Sequence, residues 1–366
     1  MRTKSISVLF ILTLLACQLT YSQKKEGYKI IEFIPGTPIK DQENTGTCWA
    51  HATSSFIETE AIRQGKEPVV ISPMYFVSKT YMAKAEQYVR MQGNTVFGEG
   101  DLTFGAMAAY KNYGAIPQAV YSGLLENESH DHDELSKLLL AMVKSIATSD
   151  NEVISQESWK KAIQGTLDAY LGAPPTSFDY KGKTYTPKSF AEEAIGINPD
   201  DYYEITSYNH HPFYSPFILE TQANWNHGSY LNLPVKEWKE LIDYALANGY
   251  TLSWDGDVTE TGFDHEKGFA ELSGLYKNEP VITQEMRQRT FNNYSTKDDH
   301  NMHLVGITED INGKRYYIIK NSWGTTNDLD GYVYMSENYL LLKTISVLVH
   351  KDAIPREIKK KFKAGL

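Results

Sequence analysis

Only two cysteines occur in the 366 residues, Cys17 and Cys48, and Cys17 lies in an apolar leader, so the mature chain is expected to keep one thiol and no intramolecular disulfide. The chain's 41% hydrophobic content allows a large core, and its length fits one enzyme-sized body of one or two lobes better than several small modules. A lone thiol in an exported protein is exposed to oxidation, so keeping it points to a use.

The leader itself reads as a secretory signal. Arg2 and Lys4 form a basic start, Ile6 to Ala16 an apolar stretch, and Thr20-Tyr21-Ser22 a small-residue exit before Gln23. The stretch falls short of the ~20 residues a bilayer span needs, and no later segment is apolar for long enough, so no stable membrane span is expected. Export to the periplasm or the extracellular space follows. Leu14-Leu15-Ala16-Cys17 resembles a lipoprotein cleavage box, which makes a lipid-anchored form through Cys17 the alternative. The formal net charge of −10 provides no basic field for phosphate backbones, so no nucleic-acid partner is expected.

Along the chain the first part is helical. Polar, turn-forming residues from Gln42 to Gly46 give way at Cys48 to a helix closed by Gly65; Ser72-Pro73 caps a second helix reaching Gly93; a third spans about Leu102 to Tyr113 before Gly114. From about Asn127 to Leu233 the pattern is less orderly, with helical stretches at Ser155 to Tyr170 and Pro187 to Ala194. After Pro234, Trp238, Leu241, Ile242 and Ala245 recur with helical period until Gly249. Short β-branched and aromatic runs then predict strands at Tyr250 to Trp254, Met302 to Thr308, Arg315 to Lys320 and Gly331 to Met335. The expected organisation is a leader over 1–22, a helical lobe over 23–126, an inserted region over 127–233 and a β-rich lobe over 234–366.

A helix start at Cys48 lowers the pKa of a thiol that would otherwise be mostly protonated at neutral pH. Six residues upstream, the Gln42 amide can donate toward an oxyanion formed when the thiolate adds to a carbonyl, with the Cys48 N–H as second donor.

Gln42, five residues, then Cys48-Trp49 resembles the nucleophile segment of papain-type cysteine peptidases. Asp299-His300 before an apolar strand resembles that family's histidine site, and Asn321-Ser322-Trp323-Gly324 its asparagine site. The resemblance implies that His300 takes the Cys48 proton to give a thiolate-imidazolium pair, that Asn321 orients the imidazole and that Trp323 shields their hydrogen bond. His303 is the rival histidine, on the opposite face of the strand. A two-residue turn at Asn312-Gly313 would set Asn321 opposite Leu304, roughly 13 Å along the strand from His300 at ~3.3 Å per residue. A five-residue loop, Glu309 to Gly313, would set it opposite Asn301, and is therefore expected.

Within that class, Tyr113-Gly114-Ala115-Ile116-Pro117, Leu171-Gly172-Ala173-Pro174-Pro175, Thr186-Pro187, Gly256-Asp257-Val258 and Val347 to Pro355 resemble the bleomycin hydrolase and aminopeptidase C branch, over about Ile31 to Pro355. The implied fold is α+β, a helical N-terminal lobe packed on a β-barrel-like C-terminal lobe with an inserted middle region. The implied activity is peptide hydrolysis by an aminopeptidase, with Gly100 and Asp101 at the substrate groove and an acidic group entering it. A C-terminal tail that enters the cleft is common in the branch, whereas this sequence closes at Lys359-Lys360-Lys361 and Leu366, which keeps an endopeptidase as the alternative. The branch's hexameric cage leaves a homo-oligomer open. No inhibitory propeptide fits between Gln23 and the first motif.

Two further readings compete. A thiol acyltransferase usually completes its set with Asp, against Asn321; a silent peptide-binding homologue would be expected to lack Cys48, Gln42 or His300. No cofactor is implied. His130-Asp131-His132 and His210-His211 lack convergent Cys or Asp partners in the sequence, read as solvated loops, and are assigned no metal. Asn127-Glu128-Ser129 and Asn293-Tyr294-Ser295 read as ordinary surface loops.

Overall fold

The computed structural model describes residues 25–125, 129–149, 156–272 and 280–362. The leader with Cys17, Asn127 and the last four residues lie outside them. Among the described residues no helix is long and apolar enough to cross a membrane.

Strand β1 (Tyr28–Phe33) precedes helix α1 (Cys48–Arg63), followed by α2 (Pro73–Arg90) and α3 (Thr103–Tyr113). α2 starts where the sequence says it should: Ser72 Oγ accepts from Tyr75 N at 3.2 Å and Pro73 takes the first helical position. α1 has an unusual composition for a helix with no solvent face. Fourteen of its residues, Cys48 to Ala61, are buried, and its polar groups are accordingly paired: Glu58 accepts from Lys40 Nζ at 2.7 Å and Ile71 N at 2.6 Å, and from Thr37 Oγ1. Arg63 forks onto Glu60 at 2.9 and 2.8 Å.

The middle region holds α4 (Asp133–Ala147) and α5 (Gln156–Leu171), a small hairpin of β2 (Phe178–Tyr180) and β3 (Lys183–Tyr185), and strands β4 (Tyr202–Thr206), β5 (Pro216–Ile218) and β6 (Ser229–Asn232). α4 was not expected. Leu135, Leu139 and Val143 form its fully buried stripe at four-residue intervals. α4 and α5 pack into the helical core with Phe56, Phe76, Ile163 and Phe190, whereas Ile205, Leu231 and Leu233 join the second core around Trp238, Trp254, Leu304 and Val347. Residues 127–233 thus contribute to both cores.

The remainder comprises α6 (Val235–Ala247), β7 (Leu252–Gly256), β8 (Phe263–Asp264), β9 (Phe269–Ala270), α7 (Gln284–Asn292), β10 (His300–Asp310), β11 (Arg315–Lys320), β12 (Tyr332–Ser336), α8 (Glu337–Lys343) and β13 (Thr344–His350). The sheet runs β5-β6-β4-β13-β7-β10-β11-β12-β9-β8, with β1 added to β10. β10 is its spine. β7 pairs with His300 to Leu304 and β1 with Gly306 to Asp310, while β11 pairs with His303 to Glu309. At Gly306 a Cβ would lie 2.3 Å from Glu32 O, so only glycine admits β1 there.

The expected α+β architecture holds, and its β-rich part is one large sheet with no closed barrel among the described residues. Its terminal strands β5 and β8 do not pair with each other; β5 begins at a proline and β8 spans Phe263–Asp264 alone, so neither offers a ladder long enough to close.

Candidate active site

The β10–β11 hairpin determines how far apart His300 and Asn321 stand. Glu309 pairs with Arg315 across a turn in which Asp310 N donates to Lys314 O at 3.0 Å. β10 runs on to Asp310, so the connection between the strands is four residues, Ile311 to Lys314, where the five from Glu309 to Gly313 were expected. A bulge between Leu304 and Gly306 then shifts the register, and the last pair is His303 with Lys320. Continuing that register sets Asn321 beside Met302, one residue from the position expected. The side chains close the gap: His300 Nε2 lies 2.8 Å from Asn321 Oδ1.

Asn321 is held from three sides. Its Oδ1 also accepts from Ser322 N at 2.8 Å, and its Nδ2 donates toward His265 Nδ1 at 3.4 Å. With Oδ1 fixed as acceptor, His300 Nε2 carries the proton and Nδ1 is left for another partner. The Trp323 ring stands 4.6 Å from the His300 ring and 4.8 Å from that of His265, covering the hydrogen bond. His303 lies elsewhere: its Nδ1 pairs with Ser55 Oγ at 2.9 Å and its ring packs edge-on against Phe56.

Cys48 is the first residue of α1, where unpaired helix N–H groups converge. The Gln42 segment is tied to the asparagine segment: Gln42 N donates to Ser322 O at 2.8 Å, Gly324 N to Lys40 O at 3.2 Å, and Asp41 bridges Trp323. The Gln42 amide is oriented at both ends, Oε1 accepting from Ser322 Oγ at 2.7 Å and Nε2 donating to Thr45 O at 2.7 Å. One amide hydrogen remains uncommitted. Cys48 Sγ lies 3.9 Å from Asn301 Oδ1, whose amide nitrogen reaches Asp255 Oδ1 at 3.3 Å.

Burial dominates the electrostatics. It pushes the Cys48 thiol up to about 12, against lesser lowering by Asn301 and Trp49 backbone N–H groups. It pulls the His300 imidazole down to about 4, the Asn321 hydrogen bond opposing it. Neither group can therefore ionise alone at neutral pH. The lowering expected of the helix start is outweighed by desolvation, so burial favours the neutral thiol and the neutral imidazole.

Cys48 opens onto a cleft of about 760 Å³ lined among others by Gly98, Gly100, Asp101, Asp298 and Asn301. Cβ positions at Gly98 and Gly100 face open space. Asp101 is at the cleft wall, with its carboxylate buried: it accepts from Leu102 N at 2.7 Å and Trp225 Nε1 at 2.9 Å and lies 3.7 Å from Lys84 Nζ. The cleft also contains Asp298, which accepts from Thr221 Oγ1 at 2.6 Å. His265 and Asn301 escaped the sequence reading. Asn301 adjoins the histidine motif, but nothing local signals His265, which arrives from the β8–β9 turn.

The Peptidase C1-like family model matches residues 104–365, a stretch that holds His300 and Asn321 and follows Gln42 and Cys48. The chain is 22% identical to Aminopeptidase G of Lactobacillus delbrueckii subsp. lactis over 88% of this chain and 83% of the relative. It is 25% identical to Aminopeptidase C of Lactobacillus helveticus over 73% of this chain and 65% of the relative. Among solved structures, pepW from Lactobacillus rhamnosis superposes with a TM-score of 0.72 at 19% identity, covering 99% of this chain and 92% of that one.

Proposed function

The chain belongs to the Peptidase C1-like family and has a papain-like α+β fold, and from that premise we propose that it is a cysteine-type aminopeptidase with Cys48 as nucleophile. The observation that carries the reading is the His300 Nε2 to Asn321 Oδ1 hydrogen bond of 2.8 Å beneath Trp323, which leaves Nδ1 of the same ring free to serve a thiol. In this reading Cys48 Sγ attacks the peptide carbonyl carbon as its proton passes to His300 Nδ1. The oxyanion is met by the Cys48 N–H and by the uncommitted hydrogen of Gln42 Nε2. His300 returns the proton to the departing amine, and water then releases the acyl group by the reverse relay.

The aminopeptidase assignment is supported by the relatives that carry that name, Aminopeptidases G, C, W and E among them. Gly98 and Gly100, with no side chains to obstruct, suit a wall along which an extended peptide lies, with Asp101 buried behind it in an ion pair with Lys84. Comparing a fluorogenic amino-acid amide with its N-acetylated form tests the assignment. The free-amine substrate is expected to be cleaved at least tenfold faster; equal rates would leave an endopeptidase.

The leader supports export, with the mature chain starting near Gln23 or, as a lipoprotein, at Cys17. Mass spectrometry of the N-terminal peptide from cells distinguishes the two, and an intact Met1 to Gln23 segment on the mature protein would refute both.

A further inference from the structure

The sequence offered no carboxylate to complete a site with His210 and His211; the fold brings one. Both histidines sit in the loop between β4 and β5, and Glu220 follows β5, so the β-turnback places the three on one rim. His210 Nε2 lies 3.0 Å from one Glu220 oxygen and His211 Nε2 2.7 Å from the other. The three ligand atoms all lie within 4.8 Å of one another. At tetrahedral angles two atoms on one ion at Zn–N and Zn–O lengths stand about 3.4 Å apart, so the widest pair must close by up to about 1.4 Å. His210 and Glu220 line the same cleft as Cys48.

Two features distinguish this cluster from a solvated loop. First, its backbone is clamped. Gln288 Oε1 accepts from Asn209 N at 2.7 Å and His210 N at 3.2 Å, and Asn232 Nδ2 donates to His211 O at 3.0 Å and Tyr208 O at 2.7 Å. Both rings are stacked, His211 on Phe217 at 4.4 Å and His210 on Phe291 at 5.6 Å. Second, the contacts of His210 suit a cation beside Glu220. Its Nδ1 lies 3.2 Å from that same Gln288 Oε1, which the two backbone N–H groups identify as an acceptor, so a hydrogen on Nδ1 suits this contact. In the neutral ring Nε2 then presents a lone pair to the Glu220 carboxylate. Lone pair against carboxylate is repulsive unless a positive charge stands between them, either a second proton on the ring or a metal ion. The Nδ1–H to carbonyl contact is the outer-shell arrangement that fixes a ligating imidazole.

We infer that His210 Nε2, His211 Nε2 and the Glu220 carboxylate form a binding site for a borderline divalent transition-metal ion of the Zn²⁺ class at the rim of the cleft. Two imidazoles and a carboxylate suit Zn²⁺ and leave a fourth position open. The site stands apart from the Cys48 chemistry and is testable without it.

The test uses the full chain carrying Cys48→Ser, which removes the thiol as a competing ligand, titrated with Zn²⁺ at pH 7.5 by calorimetry. One ion per chain with a dissociation constant of 10 µM or tighter is expected. Glu220→Gln and, separately, His211→Ala are expected to weaken binding at least tenfold, while His132→Ala, in the other histidine pair, leaves it within twofold. Thermal midpoints with EDTA show that each variant is folded. Absence of binding below 100 µM would overturn the site and leave the second proton as the cation. Affinity retained in both Glu220→Gln and His211→Ala would equally overturn it.

Discussion

Removing Gln42 tests the oxyanion geometry and the packing that supports it in a single series. In Gln42→Ala the uncommitted Nε2 hydrogen is lost, and loss of one such donor lowers kcat by about 10²–10³-fold, or about 3–4 kcal/mol of transition-state stabilisation. KM should move little, since the donor meets charge that exists only after attack. Ser322→Ala leaves the donor but frees the other end of the amide by deleting the 2.7 Å bond from Ser322 Oγ to Gln42 Oε1. That bond is worth about 1 kcal/mol, so kcat should fall about fivefold. Because Ser322 acts through Gln42, the double variant should be no slower than Gln42→Ala within twofold, a strong departure from additivity. Steady-state hydrolysis of a fluorogenic amino-acid amide at pH 7 measures all four proteins. A Gln42→Ala enzyme within threefold of the parent in kcat, or single effects that simply multiply in the double variant, would refute the assignment.

Asn321→Ala removes the acceptor of the buried His300 Nε2–H and is expected to lower kcat/KM by about 10–100-fold, the range of a buried donor left unsatisfied; a change under threefold would contradict it. His265→Ala frees only the Nδ2 end of Asn321, a 3.4 Å contact, so a smaller loss is expected, about two- to fivefold, with Asn321→Ala/His265→Ala no worse than Asn321→Ala. Glu204 is buried with one oxygen unpartnered and its pKa pushed from 4.5 up to about 8 by desolvation. The folded state therefore binds the proton more tightly than the unfolded chain, and the stability this gives is complete below pH 4.5 and is lost as pH rises toward 8. Glu204→Gln should match the parent near pH 4.5 and exceed it at pH 8 by an amount on the order of 3–4 kcal/mol, read as the difference in denaturant midpoints; equal midpoints at pH 8 would refute it.

What was legible in the sequence is what local physics writes there. The Ser72-Pro73 cap, the helix start at Cys48 and the period of Trp238 to Ala245 each depend on a few neighbouring residues, and each element starts or runs where that chemistry places it. That the hairpin needs more than a two-residue turn was also within reach, because such a turn would hold Asn321 too far along the strand from His300. Its exact register was not, since the bulge beside Gly306 exists to admit β1 from over 270 residues away in the sequence. His265, Asn301 and the Glu220 partner of the histidine pair were hidden for the same reason: each reaches its position through strand pairing rather than spacing. The open sheet was hidden too, as closure depends on the pairing partners of the shortest strands. Missing α4 was different in kind, because Leu135, Leu139 and Val143 carry a readable stripe that the polar, histidine-rich lead-in at 129–132 obscured.

The central claim is that Cys48 becomes a thiolate by passing its proton to His300, not by losing it to solvent. The rate of iodoacetamide alkylation of Cys48 between pH 5 and 8 tests it directly. A solitary thiol pushed up to about 12 would react slowly and tenfold more slowly for each unit of acidification. A thiolate-imidazolium pair predicts instead a rate nearly independent of pH over that interval and above that of free cysteine at pH 6. His300→Ala should restore the slow, pH-proportional behaviour. Parent-enzyme alkylation that falls tenfold per unit and stays below free cysteine at pH 6 would contradict the account.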